Sequence, residues 1–310
     1  MLGALVAQGK PAQRPEWFYR LVLVSATVIW GGNFVVSKFA VSSLHPLWVI
    51  AVRFAAAGLL LGLVFFPRVR SCMSPALLRA GVIIGFFSFL GYGSQFWGLS
   101  GTTPAKNAFL SACYCVTVPF IWWLVAGRRP GARKLLAAAV CVAGMALVTL
   151  QGELGISWGD GVSALSAVLY GAEIVSIALL IKQHDVIAVT VVQMLSSGVF
   201  AALAALLLGI PLDAGVLAEP SFLLQMAYIV VLGSCYASTA QNLAQTHVPP
   251  AQVSLLFALE SVFGTVFSML FFGEALTPRL VLGFALIFAA ILVSELGGPR
   301  VAKEKAAPRS

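Results

Sequence analysis

The sequence predicts an all-α integral membrane protein: ten transmembrane helices arranged as two inverted five-helix repeats around a central cavity. Three observations carry that prediction. Sixty per cent of the 310 residues are apolar and only 10% are charged, against roughly 25% charged in a soluble chain; mean hydropathy is +0.97. The apolar residues fall in runs of about twenty, the length that crosses a hydrocarbon core ~30 Å thick. The few polar residues inside those runs recur at matching places in the two halves of the chain.

The spans are read at 17–41, 47–66, 77–98, 105–126, 134–150, 158–181, 187–209, 221–245, 251–272 and 277–295. The first starts at Trp17 and is too long and too poorly terminated for a cleavable signal. His45-Pro46 separates it from the second, and Thr103-Pro104 separates the third from the fourth. Arg129-Pro130-Gly131 and Gly155 bracket the fifth span. Pro211, Pro249-Pro250 and Thr277-Pro278 mark the remaining breaks, all of them turn chemistry. Residues 1–16 and 299–310 are polar and basic, with the composition of disordered tails. Between the tails lie residues 17–150 and 158–295, the two five-helix repeats.

Charge fixes the sidedness. Fifteen Lys and Arg residues, from Lys10 and Arg14 at one end to Lys305 and Arg309 at the other, fall on one face; only Lys106 and Arg279 fall on the other, while Lys38 and Arg53 lie within spans. The positive-inside rule then places both termini in the cytoplasm and the chain in the cytoplasmic (inner) membrane. The formal charge of +8 has no basic stripe with interleaved aromatics, so nucleic acid is not an expected partner. The five cysteines lack metal-ligand spacing and read as small apolar residues. His45, His184 and His247 sit at span ends on different faces, so no metal or cofactor is expected.

The two halves align without gaps inside helices. At an offset of 140, Trp30-Gly31-Gly32-Asn33 falls on Tyr170-Gly171-Ala172-Glu173, and Arg53 on Gln193. At an offset of 146, Ser88, Tyr92 and Gln95 fall on Ser234, Ser238 and Gln241, Tyr114 on Glu260, Gly127 on Gly273, and Arg133 on Arg279. Five spans per half invert the second half relative to the first, a plan that places a substrate site between the halves near the bilayer midplane. Four stripes at helical spacing point to that site: Trp30, Asn33 and Ser37; Ser88, Tyr92 and Gln95; Ser163, Ser166, Tyr170 and Glu173; and Ser234, Ser238, Gln241 and Gln245. A single Ser of this kind reads as a helix–helix hydrogen bond worth under ~2 kcal/mol. Four matched stripes read as a cavity.

Glu260 stands about 14 Å into its span by helical rise, and Glu173 at a comparable depth. A carboxylate there costs at least ~2.5 kcal/mol unless it is protonated, paired or wet. Each is a candidate for a coupling proton or for a cationic substrate group; the structural alternative is a pair with Arg53 or Lys38. Arg53 could hold a substrate carboxylate with its planar fork, or lock onto a neighbouring span. Lys38, nearer the outer end, reads as a snorkelling or gating residue. Trp30, Tyr92, Tyr114 and Tyr170 could stack on a ring or hold a cation, whereas Trp17, Trp48, Trp122 and Trp123 suit interfaces and packing. Glu274 reads as an outer-loop or capping residue.

Several segments carry a resemblance: Trp30-Gly31-Gly32-Asn33-Phe34 with Lys38, Pro46 to Arg53-Phe54, Pro104-Ala105 through Leu110, Leu259-Glu260-Ser261-Val262-Phe263, and Gly273-Glu274-Ala275-Leu276-Thr277 followed by Gly283. In order and spacing they resemble the drug/metabolite transporter superfamily, specifically its EamA-type transporters. The resemblance implies alternating access by a five-plus-five inverted repeat and a secondary transporter of a small metabolite. Amino acids or related compounds, moved by proton-coupled export, are the expected cargo. Cationic drugs or quaternary amines are the alternative. A membrane enzyme or sensor is the reading from another class; no nucleophile elbow, paired-aspartate motif, zinc spacing or phosphate-binding loop supports an enzyme, and no catalytic residue is assigned. The expected partners are the substrate, protons and the bilayer, and small residues on several spans permit a homodimer. Two departures stand out. Relatives often carry Pro where this chain has Cys115 and Ser261, so weaker distortion is expected in spans four and nine. Glu173 falls outside the common pattern.

Overall fold

A computed structural model describes residues 15–127, 129, 131–149, 157–273 and 277–295. Both tails, Gly155 and Glu274 lie outside them. The described chain is helical: α1 (Glu16–Ser43), α2 (Pro46–Val64), α3 (Phe66–Cys72), α4 (Pro75–Ser100), α5 (Pro104–Ala112), α6 (Tyr114–Ala126), α7 (Ala132–Thr149), α8 (Trp158–Leu180), α9 (Val186–Leu207), α10 (Ala214–Leu217), α11 (Pro220–Ala227), a π-helical segment (Tyr228–Tyr236), α12 (Ala237–Gln245), α13 (Pro250–Phe257), α14 (Leu259–Phe272) and α15 (Pro278–Glu295).

Local sequence explains where these helices start and stop. Proline opens α2, α4, α5, α11, α13 and α15, at the position where its missing N–H costs nothing. Ser74, Thr103 and Asp185 accept backbone N–H bonds as N-caps, and Ser157 with Asp160 forms a capping box on α8; each satisfies donors that the first turn leaves open. Gly127 (φ 69°) closes α6 and Gly273 (φ 62°) closes α14, a left-handed cap that a side chain would strain.

Among the described residues, seven apolar segments are long enough to cross a membrane: Trp17–Ser43, Pro46–Val64, Pro75–Ser100, Pro104–Val125, Trp158–Gln183, Val186–Leu207 and Pro220–Gln245. Three shorter apolar helices, Leu135–Gly144, Leu259–Phe272 and Pro278–Ala290, accompany them. Large apolar side chains such as Leu63, Leu124, Leu207, Leu224 and Leu270 point outward, the arrangement lipid favours.

Several elements differ from the sequence expectation. A short helix, α3, occupies what reads as a loop. The spans around residues 105–126 and 251–272 are both interrupted, at Cys113 and at Ala258, although neither Cys115 nor Ser261 is a proline. At Cys113 the ladder tightens: Cys113 N–H reaches Leu110 O at 3.3 Å and Val116 N–H reaches Cys113 O at 2.9 Å. Pro119 lies inside α6 and withholds a donor from the carbonyl four residues back. On the other side the Ser261 hydroxyl donates to Ala258 O at 2.6 Å, and its N–H bonds the same oxygen at 3.2 Å; such back-bonding bends helices. The eighth span is not uniform either. Its centre is π-helical, and the Ser234 hydroxyl donates to Ile229 O, five residues back, at 3.0 Å.

The most extensive packing joins one half of the chain to the other: α4 with α8, α7 with α15, α2 with α9, and α1 with α14 and α12. The α4–α8 pair is close to backbone against backbone. A Cβ on Gly98 would stand 2.8 Å from Ser163 N and 2.9 Å from Gly159 O, and one on Gly159 would stand 2.7 Å from Gly98 O. Small residues permit that approach, and dispersion holds it. Side chains fasten one end of the pair: the Thr102 hydroxyl donates to Asp160 Oδ1 at 2.6 Å, with Lys106 Nζ 3.8 Å from Asp160 Oδ2. Elsewhere Arg68 of α3 meets Asp185, the N-cap of α9, at 2.9 Å.

Gly159→Val should therefore force α4 and α8 apart. Overpacking of this kind costs about 1–3 kcal/mol, and the thermal midpoint in detergent should fall by several degrees. Gly161→Val, at a position with open space around it, should leave the midpoint nearly unchanged; equal losses for both would remove close α4–α8 contact as the cause.

Candidate functional site

All members of the four polar stripes are buried: Trp30, Asn33 and Ser37 on α1; Ser88, Tyr92 and Gln95 on α4; Ser163, Ser166, Tyr170 and Glu173 on α8; and Ser234, Ser238, Gln241 and Gln245 on the π segment and α12. The helices that carry them surround a cavity with about 430 Å³ of empty space, its open mouth included, lined by Trp30, Asn33, Phe34, Tyr92, Gln95, Tyr114, Tyr170, Glu173, Ile174, Gln241, Phe257 and Glu260. Nine of the ten candidate substrate or coupling residues are in that lining. The tenth, Ser238, stands behind it and hydrogen-bonds Tyr92. Phe34, Ile174 and Phe257 were not singled out from the sequence. Each lies three or four residues from a polar candidate, on Trp30, Tyr170 and Glu260 respectively, so helical spacing alone would have found them.

Two carboxyls enter the cavity in different surroundings. Glu173 Oε1 accepts from the Ser88 hydroxyl and from Gln193 Nε2 at 3.1 Å. Gln193 also donates to Ser88 Oγ at 2.8 Å and accepts from Asn242 Nδ2 at 2.7 Å. Asn242 in turn donates to Thr190 Oγ1 at 2.8 Å. The four helices α4, α8, α9 and α12 thus meet in one polar cluster. Glu260 Oε1 accepts from the Tyr114 hydroxyl at 2.9 Å. Tyr170 donates to Gln95 Oε1 at 2.7 Å, and its ring meets Tyr92 edge-on at 5.1 Å and Tyr114 at 6.2 Å.

Arg53 and Lys38, the expected charge partners of these carboxyls, make their hydrogen bonds to other groups, although the charge of Arg53 still acts on Glu173. Arg53 is fully buried, yet its Nε donates to Ser234 Oγ at 2.7 Å and its Nη2 to Gly233 O at 3.2 Å. Its guanidinium lies 4.5 Å from the Tyr92 ring, 5.0 Å from Phe54 and 5.5 Å from Phe96. That aromatic sleeve replaces water around the charge and holds Arg53 just behind the cavity wall. Lys38 Nζ donates to Leu99 O and Thr102 O, each at 2.7 Å, a cation placed on the open carbonyls where α4 ends.

An apolar-surfaced helix assembly with carboxylates, amides and aromatics buried around a cavity defines a multi-pass membrane protein of the solute-carrying kind. Comparison makes the class specific. The profile of the EamA-like transporter family matches residues 17–150 and again 157–296, and the chain belongs to that family. An "uncharacterized transporter" of Archaeoglobus fulgidus is 28% identical over 276 residues, 89% of this chain and 85% of that one. The "uncharacterized inner membrane transporter YedA" of Escherichia coli K12 is 28% identical over 283 residues, 88% of this chain and 89% of that one. A crystal structure of a protein described no further superposes with a TM-score of 0.67 at 16% identity, covering 90% of this chain and 97% of that chain; at that identity the likeness speaks for the fold alone. The protein is a transporter of the EamA kind.

Gln193 is the member of the cluster whose loss should be felt most. Replacing it with Leu leaves Asn242 and Glu173 each short of a partner, and an unsatisfied buried polar group costs about 1–3 kcal/mol. Gln193→Leu should unfold at clearly lower temperature than wild type, and Gln193→Glu with Glu173→Gln together should recover part of the loss. A Leu variant as stable as wild type would dissolve the cluster as a structural unit.

Proposed function

We propose that the chain is a secondary active transporter that moves a small amino-bearing metabolite, an amino acid or a related compound, across the cytoplasmic membrane by alternating access, in proton-coupled export. The observation that carries this reading is the pair of carboxyls, Glu173 and Glu260, in one aromatic-lined cavity. A protonatable carboxyl and an ammonium group compete for the same oxygen. Binding one releases the other, which is what exchange requires. Asn33, Gln95 and Gln241 supply amides that can orient the polar remainder of a small solute, in the manner of ligand pockets generally.

The architecture we assign is ten spans in two inverted repeats, residues 17–150 and 158–295, with both termini cytoplasmic. Support comes from features that recur at an offset of 146. Left-handed glycines end α6 and α14, and the spans that end there are each interrupted near the middle. Pairing of α2 with α9 and of α7 with α15 fits the same near-twofold relation. Inverted repeats of this kind put the binding site where the halves meet.

A second reading, a carrier of cationic drugs or quaternary amines, is favoured by a specific feature of the lining. It holds Trp30, Tyr92, Tyr114, Tyr170, Phe34 and Phe257 but no Lys or Arg, so a cation finds aromatic faces while a carboxylate finds only amides.

A thermal-shift screen against amino acids, quaternary amines and nucleosides, with wild type and Glu173→Gln, separates these readings. A ligand that binds only the folded state raises its midpoint by mass action, by about 2.7 kcal/mol in stability at a hundredfold excess over its Kd. Amino acids or amines should shift wild type, and the variant should respond less. A shift from nucleosides alone would discard the amine-centred reading.

A further inference from the structure

We infer that the two carboxyls divide the work: Glu260 alternates between a proton and a single positive charge on the substrate, while Glu173 keeps its charge and fixes the polar frame of the cavity. This rests on the transport reading above and, within it, selects the related monocationic amines over zwitterionic amino acids.

The difference lies in what each carboxyl meets. Glu173 has two donors on one oxygen, Ser88 from α4 and Gln193 from α9. Gln193 is itself held by Asn242 from α12, and Asn242 by Thr190. The donors run in one direction, Asn242 to Gln193 to Ser88 and Glu173, so their dipoles all favour negative charge on that carboxylate. The Arg53 guanidinium lies 4.5 Å from the Tyr92 ring, with Nη1 buried and without a hydrogen-bond acceptor. Its full positive charge acts on the neighbouring carboxylate without being consumed in an ion pair. Arg53 and Glu173 thus balance each other.

Glu260 has none of this. Its donor is the Tyr114 phenol of α6. The other titratable groups that face it are Tyr92 from α4 and Tyr170 from α8, with Glu173 beyond them. α1 offers Trp30, Asn33 and Phe34 to the cavity, and α12 offers Gln241. Among the described residues, no cationic side chain lines the cavity. A buried carboxylate without a counter-charge is costly, so Glu260 must carry either a proton or a cation brought in from outside. It cannot hold both at once. With Arg53 and Glu173 cancelling, the cavity takes one positive charge, and each amine bound displaces one proton. A zwitterion would bring a carboxylate for which no positive group is present.

Two measurements on the purified chain in detergent test this. The first needs no ligand. A pH titration followed by infrared spectroscopy should show a carboxyl C=O band that disappears as the pH rises. Glu260→Gln should remove that band, and Glu173→Gln should leave it. The second uses phenethylamine as probe, with binding heats taken in two buffers of different ionisation enthalpy. Below the titration seen by infrared, wild type should release a proton for each amine bound. Glu260→Gln should bind without release and about tenfold more weakly or worse, the loss expected when a charge-assisted contact goes. Glu260→Asp should restore release, which guards against a misfolded Gln variant. Phenylalanine should bind less well than phenethylamine. A titrating band or a released proton that survives Glu260→Gln, or that vanishes with Glu173→Gln, would overturn the division of roles. Should phenethylamine neither shift nor warm the wild type, the amine reading itself falls, while the infrared titration still decides which carboxyl exchanges its proton.

Discussion

Hydrocarbon offers no hydrogen-bond partner, so a polar side chain in this interior must be met by another helix, and the assembly is organised around meeting that demand. The clearest case is the carbonyl of Gly233. The π-helical segment alters the ladder around it, and it accepts from Trp30 Nε1 at 2.9 Å as well as from Arg53 Nη2 at 3.2 Å. Three elements, α1, α2 and the π segment, therefore converge on one oxygen. π-segments of this kind gather at functional sites, and here the gain is concrete: without that carbonyl, Arg53 would lose a partner in a place where water cannot replace it. Individual interhelical bonds in membranes average only about 0.6 kcal/mol. Their weight lies in specifying which helices meet, and at what register, more than in total stability.

The two sides of the cavity answer the same demand differently. On one side α4 and α8 approach through glycines, and backbone dispersion does most of the joining. On the other, α1 meets the π segment through side chains: the Tyr228 hydroxyl on Ile29 O at 2.8 Å, Ser25 with Tyr236 at 2.7 Å, and Trp30 on Gly233. Further along, Tyr19 stacks on His247 at 3.9 Å. Close-packed backbones have little room to shift, whereas side-chain bonds can be remade one at a time. If the halves are related by the repeat, these helix pairs occupy corresponding places, and the asymmetry says which of them can give.

Much of this was legible in the sequence because lipid makes polar residues rare. Against a background that is 60% apolar, Asn33, Glu173, Gln241 and Glu260 are conspicuous, and helical spacing sorts them onto faces. Gly127 and Gly273, aligned with each other at an offset of 146, share a left-handed conformation. What escaped was non-local or depended on backbone detail. Nothing around Tyr228–Tyr236 spells a π-helix, since the segment is set by what Gly233 and Ser234 bond to on α2 and α1. The breaks at Cys113 and Ala258 need no proline at Cys115 or Ser261, because a serine hydroxyl and tightened turns suffice. Arg53 is surrounded by three aromatic rings brought in by α2 and α4, and ring faces leave no charge pattern to read in the sequence.

The ionisable groups buried among the described residues form an uneven set: Arg53 and Lys106 against Asp160, Glu173 and Glu260. Lys106 and Asp160 form their own ion pair at a helix end, away from the cavity lining. The charge of Arg53 acts on Glu173. One acid is left over: Glu260, which shares the cavity lining with Glu173 but has a phenol as its donor. A fold maintained only for stability has no use for such a residue, because replacing an uncompensated buried acid with a neutral side chain of similar shape is commonly neutral or favourable. Its presence makes physical sense when the missing charge is supplied from solution, by a proton at one moment and a solute at another. On the proposed division of roles, the odd charge, rather than any single motif, ties the packing of this chain to transport.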